Sequence, residues 1–216
     1  MLELKQNRKN VIGSKEEIKK LSEMESCRIL VISDSHRNFQ VFEKIVKQYG
    51  RTCDALVFCG DGIQELVMMM NHEIGCAEDE KFLPPVIAFA RGNGDPSTTD
   101  TDFKPYSISI PEIQIIKAAH KKIFISHGHL HGVDYSDSLI THEADQNGCE
   151  IILHGHTHIP RDVQNGKFKI INPGSISRPR GGTPPGFAIL TIQKNYVDAA
   201  FIKIERDRFE TYTPMW

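Results

Sequence analysis

The chain has 216 residues, of which 39% are hydrophobic and 25% are charged, and its formal net charge is -2. This length suits one globular domain with a sizeable core, and the interleaved acidic and basic residues give no basic surface for a stable nucleic-acid partner or an anionic membrane. The five cysteines form no Cys-x-x-Cys pair and no apolar run approaches membrane-spanning length, so we expect a reduced, cytoplasmic protein with neither a membrane span nor a secretion signal.

Residues 1–26 are predicted to be an N-terminal extension, and the main domain is predicted to span residues 27–216. Ser14 and Glu17 have the spacing of a helix capping box, and the apolar residues after them recur at helical intervals. We therefore expect a short amphipathic helix over about residues 14 to 25. Packing on the domain surface is the simpler interpretation of this helix, and a partner-binding arm is the alternative.

The main domain begins with apolar strands that alternate with amphipathic helices, a pattern typical of α/β proteins. Three apolar runs, at 29–32, 55–59 and 86–90, have the length and composition of strands that are buried on both faces. A helix is predicted after each of the first two runs, and Asn38 is the expected N-cap of the first helix. The three consecutive methionines at 68–70 are predicted to fill the core.

After a polar loop, the hydrophobic residues recur with a period of two, which is typical of antiparallel strands with one buried face. The residues predicted to lie on that face are Tyr106, Ile108, Ile110, Ile113 and Ile115. Two further apolar strands, 123–125 and 151–153, are separated by another predicted helix. Its buried side is expected to hold Leu139, Ile140 and Ala144. Hairpin turns are expected at Asn165-Gly166 and at Lys194-Asn195.

Five of the predicted strands are each followed by side chains that can bind a metal. In chain order these are Asp34 and His36, Asp61, Asn93, His127, and His156 with His158. Histidines on a polar loop are by themselves equally typical of a solvated loop, but strand ends in an α/β sheet share one rim where ligands bind. Seven oxygen and nitrogen ligands exceed the needs of one metal ion and suit two ions joined by a carboxylate, for which Asp61 is the natural bridge.

The order of these residues resembles the signature of the calcineurin-like metallophosphoesterases. The matching motifs are Asp34-x-His36, Gly60-Asp61, Gly92-Asn93, His127 and Gly155-His156-x-His158. Short linkers, the Gly-Asn-x-Asp form at 92–95 and the Asn-Pro-Gly-Ser run at 172–175 are similar to the small YfcE-type phosphodiesterase branch. The resemblance covers about residues 28–204 and implies a four-layer α/β/β/α sandwich in which helices flank two mixed β-sheets.

The resemblance also implies how the ligands are shared between two divalent metal ions. Asp34, His36 and His158 would bind one ion, and Asp61 would bind both. The other ion would be bound by Asn93, His127 and His156. Manganese is the implied ion, and iron, zinc, nickel and magnesium are alternatives that the same ligands accept.

The implied function is hydrolysis of a small-molecule phosphodiester, with a metal-bridging hydroxide as nucleophile. One alternative is a phosphomonoesterase acting on nucleotides or phosphoproteins, which would use the same metal ligands. Another is a non-catalytic protein-binding scaffold, because the retromer subunit of this fold has that role. The complete ligand set favours an enzyme, and the sequence leaves a homo-oligomer open.

Several residues near the predicted site have two interpretations. Asn93 can ligate through its oxygen while its amide hydrogens face the phosphate, which makes it a substrate-binding candidate as well. His129 could act on the leaving-group oxygen or be a plain loop residue. Arg180, like Arg178, could bind an anionic substrate or face solvent. Gly94 stands where many members of the family have a histidine that assists the leaving group, so we expect that assistance to be weak.

Overall fold

Two mixed β-sheets stack face to face in the computed structural model, which describes residues 3–205 and 208–214. Helices cover the outer face of each sheet, so the chain forms the four-layer α/β/β/α sandwich expected from the sequence. The helices are α1 Lys15–Glu23, α2 Phe39–Tyr49, α3 Ile63–His72 and α4 Ser138–Gln146.

The parallel strands of the first sheet lie together at one end of that sheet, and those of the second sheet lie at its middle. In chain order they are β1 Ser26–Ile32, β2 Ala55–Phe58, β3 Ile87–Phe89, β4 Thr98–Asp100, β5 Ser107–Ser109, β6 Ile113–Ala118, β7 Lys121–Ser126, β8 Ile151–Leu153, β9 Arg161–Asn165, β10 Phe168–Asn172, β11 Gly186–Gln193, β12 Tyr196–Glu205 and β13 Arg208–Tyr212. The first sheet has the order β13-β12-β11-β1-β2-β3 and the second has the order β6-β7-β8-β10-β9, while β4 and β5 form a separate hairpin. Strands β1, β2 and β3 are parallel to one another, as are β7, β8 and β10.

The apolar run in β1 is buried on both faces because it lies between a helical layer and the second sheet. Successive side chains of a strand point to opposite faces. Leu30 and Ile32 accordingly pack with α2 and α3, whereas Ile29 and Val31 pack into the layer between the sheets. A third apolar layer, which includes Phe124 from β7, lies between the second sheet and α4.

The segment before β1 is packed onto this body. The backbone of Ile12 exchanges two hydrogen bonds of 2.9 Å with Ile87 of β3, and Leu21 of α1 is buried in the layer between the sheets. Ser14 caps α1 by accepting the backbone N–H of Glu17 at 3.1 Å. A separate role for residues 1–26 stays a prediction.

Three residues that were predicted to be buried are exposed. Met68 is 46% exposed and Leu139 is 60% exposed, because each lies on the outer side of a short helix whose other apolar residues already fill the core. Tyr106 is 58% exposed and precedes β5, which pairs with β4 and not with β6. The alternating pattern at 106–115 therefore belongs to two different sheets. None of the described helices is long and apolar enough to cross a bilayer.

Candidate metal centre

The loops after five strands converge where the two sheets meet. The first sheet contributes the loops that follow β1, β2 and β3, and the second sheet contributes those that follow β7 and β8. These loops carry all seven predicted ligands: Asp34 and His36, Asp61, Asn93, His127, and His156 and His158. Sequence order alone spreads these residues over more than half the chain, and the parallel strands bring them together.

Two carboxylates stand at the middle of the cluster. Asp34 Oδ1 lies 3.1 Å from His158 Nε2 and 3.8 Å from His36 Nε2. It also lies 4.0 Å from His127 Nε2. Asp61 Oδ2 lies 3.9 Å from His36 Nε2 and 3.7 Å from His127 Nε2. Both carboxylates thus face histidines of both proposed ligand sets, whereas the sequence had suggested this only for Asp61.

The backbone at five of these residues adopts a left-handed conformation that non-glycine residues rarely use. The residues are Asp34, His36, Asp61, His156 and His158, with φ between 43° and 69°. Such backbone strain costs on the order of 1 to 3 kcal/mol per residue and persists where the surrounding structure holds it in place. Its concentration at the strand ends aims these side chains at one point.

Two glycines allow the loops to approach one another closely. A Cβ atom at Gly92 would lie 2.1 Å from Asp61 Oδ1, and one at Gly155 would lie 2.0 Å from Ser33 Oγ and 2.7 Å from Asp34 Oδ2. No larger residue fits at either position without moving a central carboxylate. The glycines are therefore part of the geometry of the site.

Hydrogen bonds to backbone carbonyls fix the tautomers of two histidines. His127 Nδ1 donates to the Cys59 carbonyl at 2.7 Å, and His158 Nδ1 donates to the Arg178 carbonyl at 2.6 Å. Because a neutral imidazole carries one hydrogen, each Nε2 atom is left with a lone pair that faces the carboxylates. In metal-binding histidines, a hydrogen bond from the ring nitrogen that does not bind the metal orients the ring in this way.

His156 is held in the opposite sense. Its Nε2 donates to the Asp134 carboxylate at 2.9 Å, so its Nδ1 lone pair points at Asn93 Oδ1, 3.1 Å away. Two acceptor atoms at this distance repel each other unless a cation or a proton lies between them. Asp134 was not identified from the sequence, because it lies in an irregular loop and meets His156 only when β8 returns beside β7.

Each central carboxylate has one oxygen engaged and one free. Asp34 Oδ2 accepts the Ser33 hydroxyl at 2.6 Å and the His156 backbone N–H at 3.2 Å. Asp61 Oδ1 accepts the Gly94 backbone N–H at 2.7 Å. The remaining oxygens, Oδ1 of Asp34 and Oδ2 of Asp61, are the ones that face the histidines.

The charges in the cluster are coupled. Burial disfavours ionisation of Asp34, but its contacts with His158, His127 and Ser33 hold its pKa below the ordinary value. Burial lowers the pKa of His36, which keeps this ring neutral, as a metal ligand must be. Burial is the largest single influence on the pKa of His158 and acts to lower it, but the Asp34 carboxylate and the Arg178 carbonyl together raise that pKa above its ordinary value.

The side chains present fit divalent metal ions. Asp34 Oδ1 and His127 Nε2 are buried and have no hydrogen-bond partner within residues 3–205 and 208–214, although buried polar atoms normally have one. Oxygen and imidazole nitrogen donors without a thiolate suit manganese, iron, zinc, nickel or magnesium. The unpaired atoms and the donor types together mark this cluster as a metal site.

Asp95 fixes the loop that carries Asp61. Its Oδ2 accepts the backbone N–H groups of Asp61 at 2.8 Å and of Gly92 at 3.0 Å. Its Oδ1 accepts those of Gly62 at 2.9 Å and Ile63 at 3.0 Å, at the start of α3. One carboxylate thus satisfies four donors and complements the positive end of the helix. The sequence motif contained Asp95, but nothing in it indicated this role.

The loop after β10 supports the histidine loop from the other side. Asn172 Nδ2 donates to the Gly155 carbonyl at 2.8 Å and to Thr157 Oγ1 at 3.0 Å. The Ser175 hydroxyl donates to the Asp34 carbonyl at 2.8 Å. These contacts give a physical reason for the Asn-Pro-Gly-Ser run noted in the sequence.

His129 and Arg180 lie at the edge of the cluster. The His129 ring centroid is 5.4 Å from that of His127 and 6.1 Å from that of His156. Burial, reinforced by these two rings, lowers the pKa of His129. The backbone N–H of Arg180 donates to the His158 carbonyl at 3.2 Å, and the residue is exposed. A pocket of about 380 Å³ is lined by Arg180 together with ligands from both sheets.

Comparison with known proteins finds related sequences over most of this chain. A sequence profile of the calcineurin-like phosphoesterase superfamily domain matches residues 27–195. The probable metallophosphoesterase YsnB of Bacillus subtilis is 32% identical over 176 residues, which are 81% of this chain and 88% of that protein. The phosphodiesterase YfcE of Escherichia coli is 28% identical over 175 residues, which are 76% of this chain and 86% of that protein.

Solved structures include relatives of lower sequence identity. Vacuolar protein sorting 29 from Cryptosporidium parvum superposes with a TM-score of 0.68 at 16% identity, covering 88% of this chain and 97% of that one. At this identity the likeness concerns the fold alone.

Proposed function

This chain belongs to the calcineurin-like phosphoesterase superfamily, and from that membership we propose a phosphodiesterase that uses two divalent metal ions. In this proposal one ion is held by Asp34, His36 and His158, the other by Asn93, His127 and His156, and both by Asp61. The family match and the two bacterial relatives support a hydrolase that acts on phosphoester bonds. The preference for diesters, the number of ions and their identity are the proposal.

The observation that carries the proposal is a pair of overlapping ligand groups. Asp34, His36 and His158 form one group, and Asp34, Asp61 and His127 form another, with ligand atoms in each lying within 4.8 Å of one another. Groups that share a carboxylate suit two neighbouring ions, the arrangement of many phosphoester hydrolases. Asp61 is the better bridge because it lines the pocket beside members of both sets, whereas Asp34 is fully buried.

Two bound ions would supply Lewis acidity and an activated water for attack on phosphorus. The residues around them would hold the substrate. Asn93 is exposed and can direct its amide hydrogens at a phosphoryl oxygen, and Arg180 can attract the phosphate as a cation. His129 is the candidate for protonating the leaving oxygen, because its ring stands beside those of two proposed ligands, although it would first have to take up a proton, which its lowered pKa disfavours.

Two features support a small-molecule diester as the substrate. The relative YfcE is named a phosphodiesterase, and it is 28% identical to this chain over most of both proteins. Gly94 has no side chain, so the space beside the phosphate is free for a second ester group. Manganese is the proposed ion because the resemblance to the YfcE-type branch implies it, and the same donors also suit iron, zinc, nickel or magnesium.

The test combines metal analysis with a substrate comparison. Protein loaded with manganese is expected to hold about two ions per chain, to hydrolyse bis(p-nitrophenyl) phosphate faster than p-nitrophenyl phosphate, and to lose activity to a chelator. A folded protein that binds no metal after reconstitution would contradict the proposal and favour a scaffold. Faster hydrolysis of the monoester would retain the metal site and reject the diester preference.

A further inference from the structure

A cleft of about 750 Å³ adjoins the pocket that contains the metal-binding side chains. Arg180 lines both spaces, and Thr157 of the cleft stands between the ligands His156 and His158 in the chain. The cleft is therefore continuous with the site at which a phosphate would lie. Its other walls come from residues 133–137 and from the strand β9 with the loop before it.

Apart from its charged side chains, most of which form ion pairs, the cleft has several apolar residues in its walls. Val133, Tyr135, Ile159 and Val163 contribute apolar groups, and Tyr135 is 93% exposed while Ile159 is 41% exposed. Side chains of this kind, exposed beside a reactive site, are the ones that become covered when a ligand binds. A single exposed aromatic residue would be unremarkable on a free surface, but here it lines a concave space next to the metal ligands.

Arg180 is the charged residue of the cleft that has no ion-pair partner among the described residues. Arg161 donates to both oxygens of Asp137 at 2.6 and 2.8 Å, and Asp134 accepts from His156. Within residues 3–205 and 208–214, no carboxylate forms an ion pair with Arg180. Because the cation lies at the end shared with the metal pocket, the cleft is suited to a ligand that is anionic at that end and apolar beyond it.

We propose that this cleft binds the second ester group of the phosphodiester and selects an aromatic group there. The phosphate would lie between Arg180 and the metal ligands, and the ring of the ester group that stays on phosphorus would pack against Tyr135 and Ile159. This inference rests on the proposed function, which it deepens by naming the substrate class. A monoester would leave the cleft empty, and a methyl ester would fill little of it.

Two substrates with the same leaving group test the inference. In bis(p-nitrophenyl) phosphate and methyl p-nitrophenyl phosphate, water forms a bond to phosphorus while the bond to p-nitrophenolate breaks, so the products differ only in the group that remains. Wild-type enzyme loaded with manganese is expected to favour the aryl substrate in kcat/KM. Tyr135→Ala and Ile159→Ser should each reduce that preference by about 10-fold, the order of effect of losing one aromatic or aliphatic contact.

Tyr196→Ala is the matched control, because Tyr196 is also an exposed tyrosine but lies outside this cleft. It should leave the preference unchanged, and metal content should equal that of the wild type in all three variants. If the wild type hydrolyses both diesters and the preference survives Tyr135→Ala and Ile159→Ser, the cleft does not bind the second ester group. If the wild type hydrolyses neither diester, the proposed function itself is wrong.

Discussion

Asp61 is the residue proposed to bind both metal ions. Its Oδ2 faces histidines from both sheets, while its Oδ1 is held by the Gly94 backbone N–H. His36 contributes to one set only. We therefore expect Asp61→Asn to reduce metal content and turnover more than His36→Ala, leaving fewer than about one ion per chain against about one for His36→Ala. Metal analysis of the purified variants, together with diester turnover, measures both effects.

Asp34→Asn is a useful third variant, because Asp34 Oδ1 also faces histidines of both ligand sets. If Asp61→Asn and His36→Ala lose equal amounts of metal, Asp61 is not a bridge. If Asp34→Asn alone abolishes binding of both ions, the bridging oxygen belongs to Asp34 instead.

Gly94 has no side chain with which to assist the leaving group. Its backbone lies outside the left-handed region, and a Cβ atom there would be 3.2 Å from Asp61 Oδ1, a contact that a shift of a few tenths of an ångström relieves. A side chain can therefore be introduced. In the wild type we expect rates to depend steeply on the pKa of the leaving group. Gly94→His should raise turnover of alkyl diesters by up to about 10²-fold relative to aryl diesters, since general acids contribute that much or more.

The measurement is the slope of log(kcat/KM) against leaving-group pKa for a series of diesters. Gly94→Ala separates the effect of crowding Asp61 from that of an added acid, and its slope should equal that of the wild type. A Gly94→His variant that binds both ions and keeps the wild-type slope would show that the missing histidine does not limit the reaction. A shallow slope in the wild type would instead implicate His129.

The connection between α3 and β3 depends on one buried carboxylate. Glu73 Oε1 accepts the backbone N–H groups of Phe82 at 2.7 Å and Leu83 at 2.8 Å, which attaches the polar segment at 71–85 to the end of the helix. Removing the acceptor leaves two donors without a partner. We therefore expect Glu73→Ala to lower the free energy of unfolding by about 2 kcal/mol, measured by urea denaturation of the metal-free protein.

Glu73→Gln keeps an acceptor oxygen but cannot ionise, and it makes the effect of pH visible. Burial raises the pKa of Glu73 above its ordinary value of 4.5, against the two backbone hydrogen bonds. As pH rises above 4.5, the unfolded chain ionises before the folded one, so the wild type loses stability relative to Glu73→Gln until the folded-state pKa is passed. A difference in unfolding free energy that stays constant from pH 4 to pH 8 would contradict this.

The strands could be predicted, and so could the convergence of the seven proposed ligands, because each of these residues follows closely on an apolar run. Contacts that depend on which elements become neighbours could not. Asp134 reaches His156 only through the pairing of β7 with β8, and Asp95 binds backbone atoms from two different loops. The short strand β4 is polar, so its sequence resembles a loop. Met68 shows that apolar character alone does not decide which side of a short helix faces the core.

The two sheets pack against each other along their faces, and the proposed metal ligands of both sheets meet at one edge. Each proposed set takes ligands from both sheets: His36 follows β1 and His158 follows β8, while Asn93 follows β3 and His127 follows β7. Bound ions would thus cross-link the sheets at their carboxyl ends. That edge holds buried carboxylates and left-handed backbone, and two of its buried atoms, Asp34 Oδ1 and His127 Nε2, have no hydrogen-bond partner among the described residues.

We accordingly expect metal binding to stabilise both sheets together. At a free manganese concentration of 100 times Kd, each site should add about 2.7 kcal/mol to the free energy of unfolding. Chelation should lower Tm and should increase amide hydrogen exchange in parallel at the ends of β1 and β8, because the same ion contacts both loops. The turn at Asn165-Gly166, which connects β9 to β10 away from the cluster, is the internal control and should exchange at the same rate with and without metal. Protection that returns in only one sheet on adding metal would mean that the ions do not join the sheets, and the ligand sets proposed above would then need to be redrawn within that sheet.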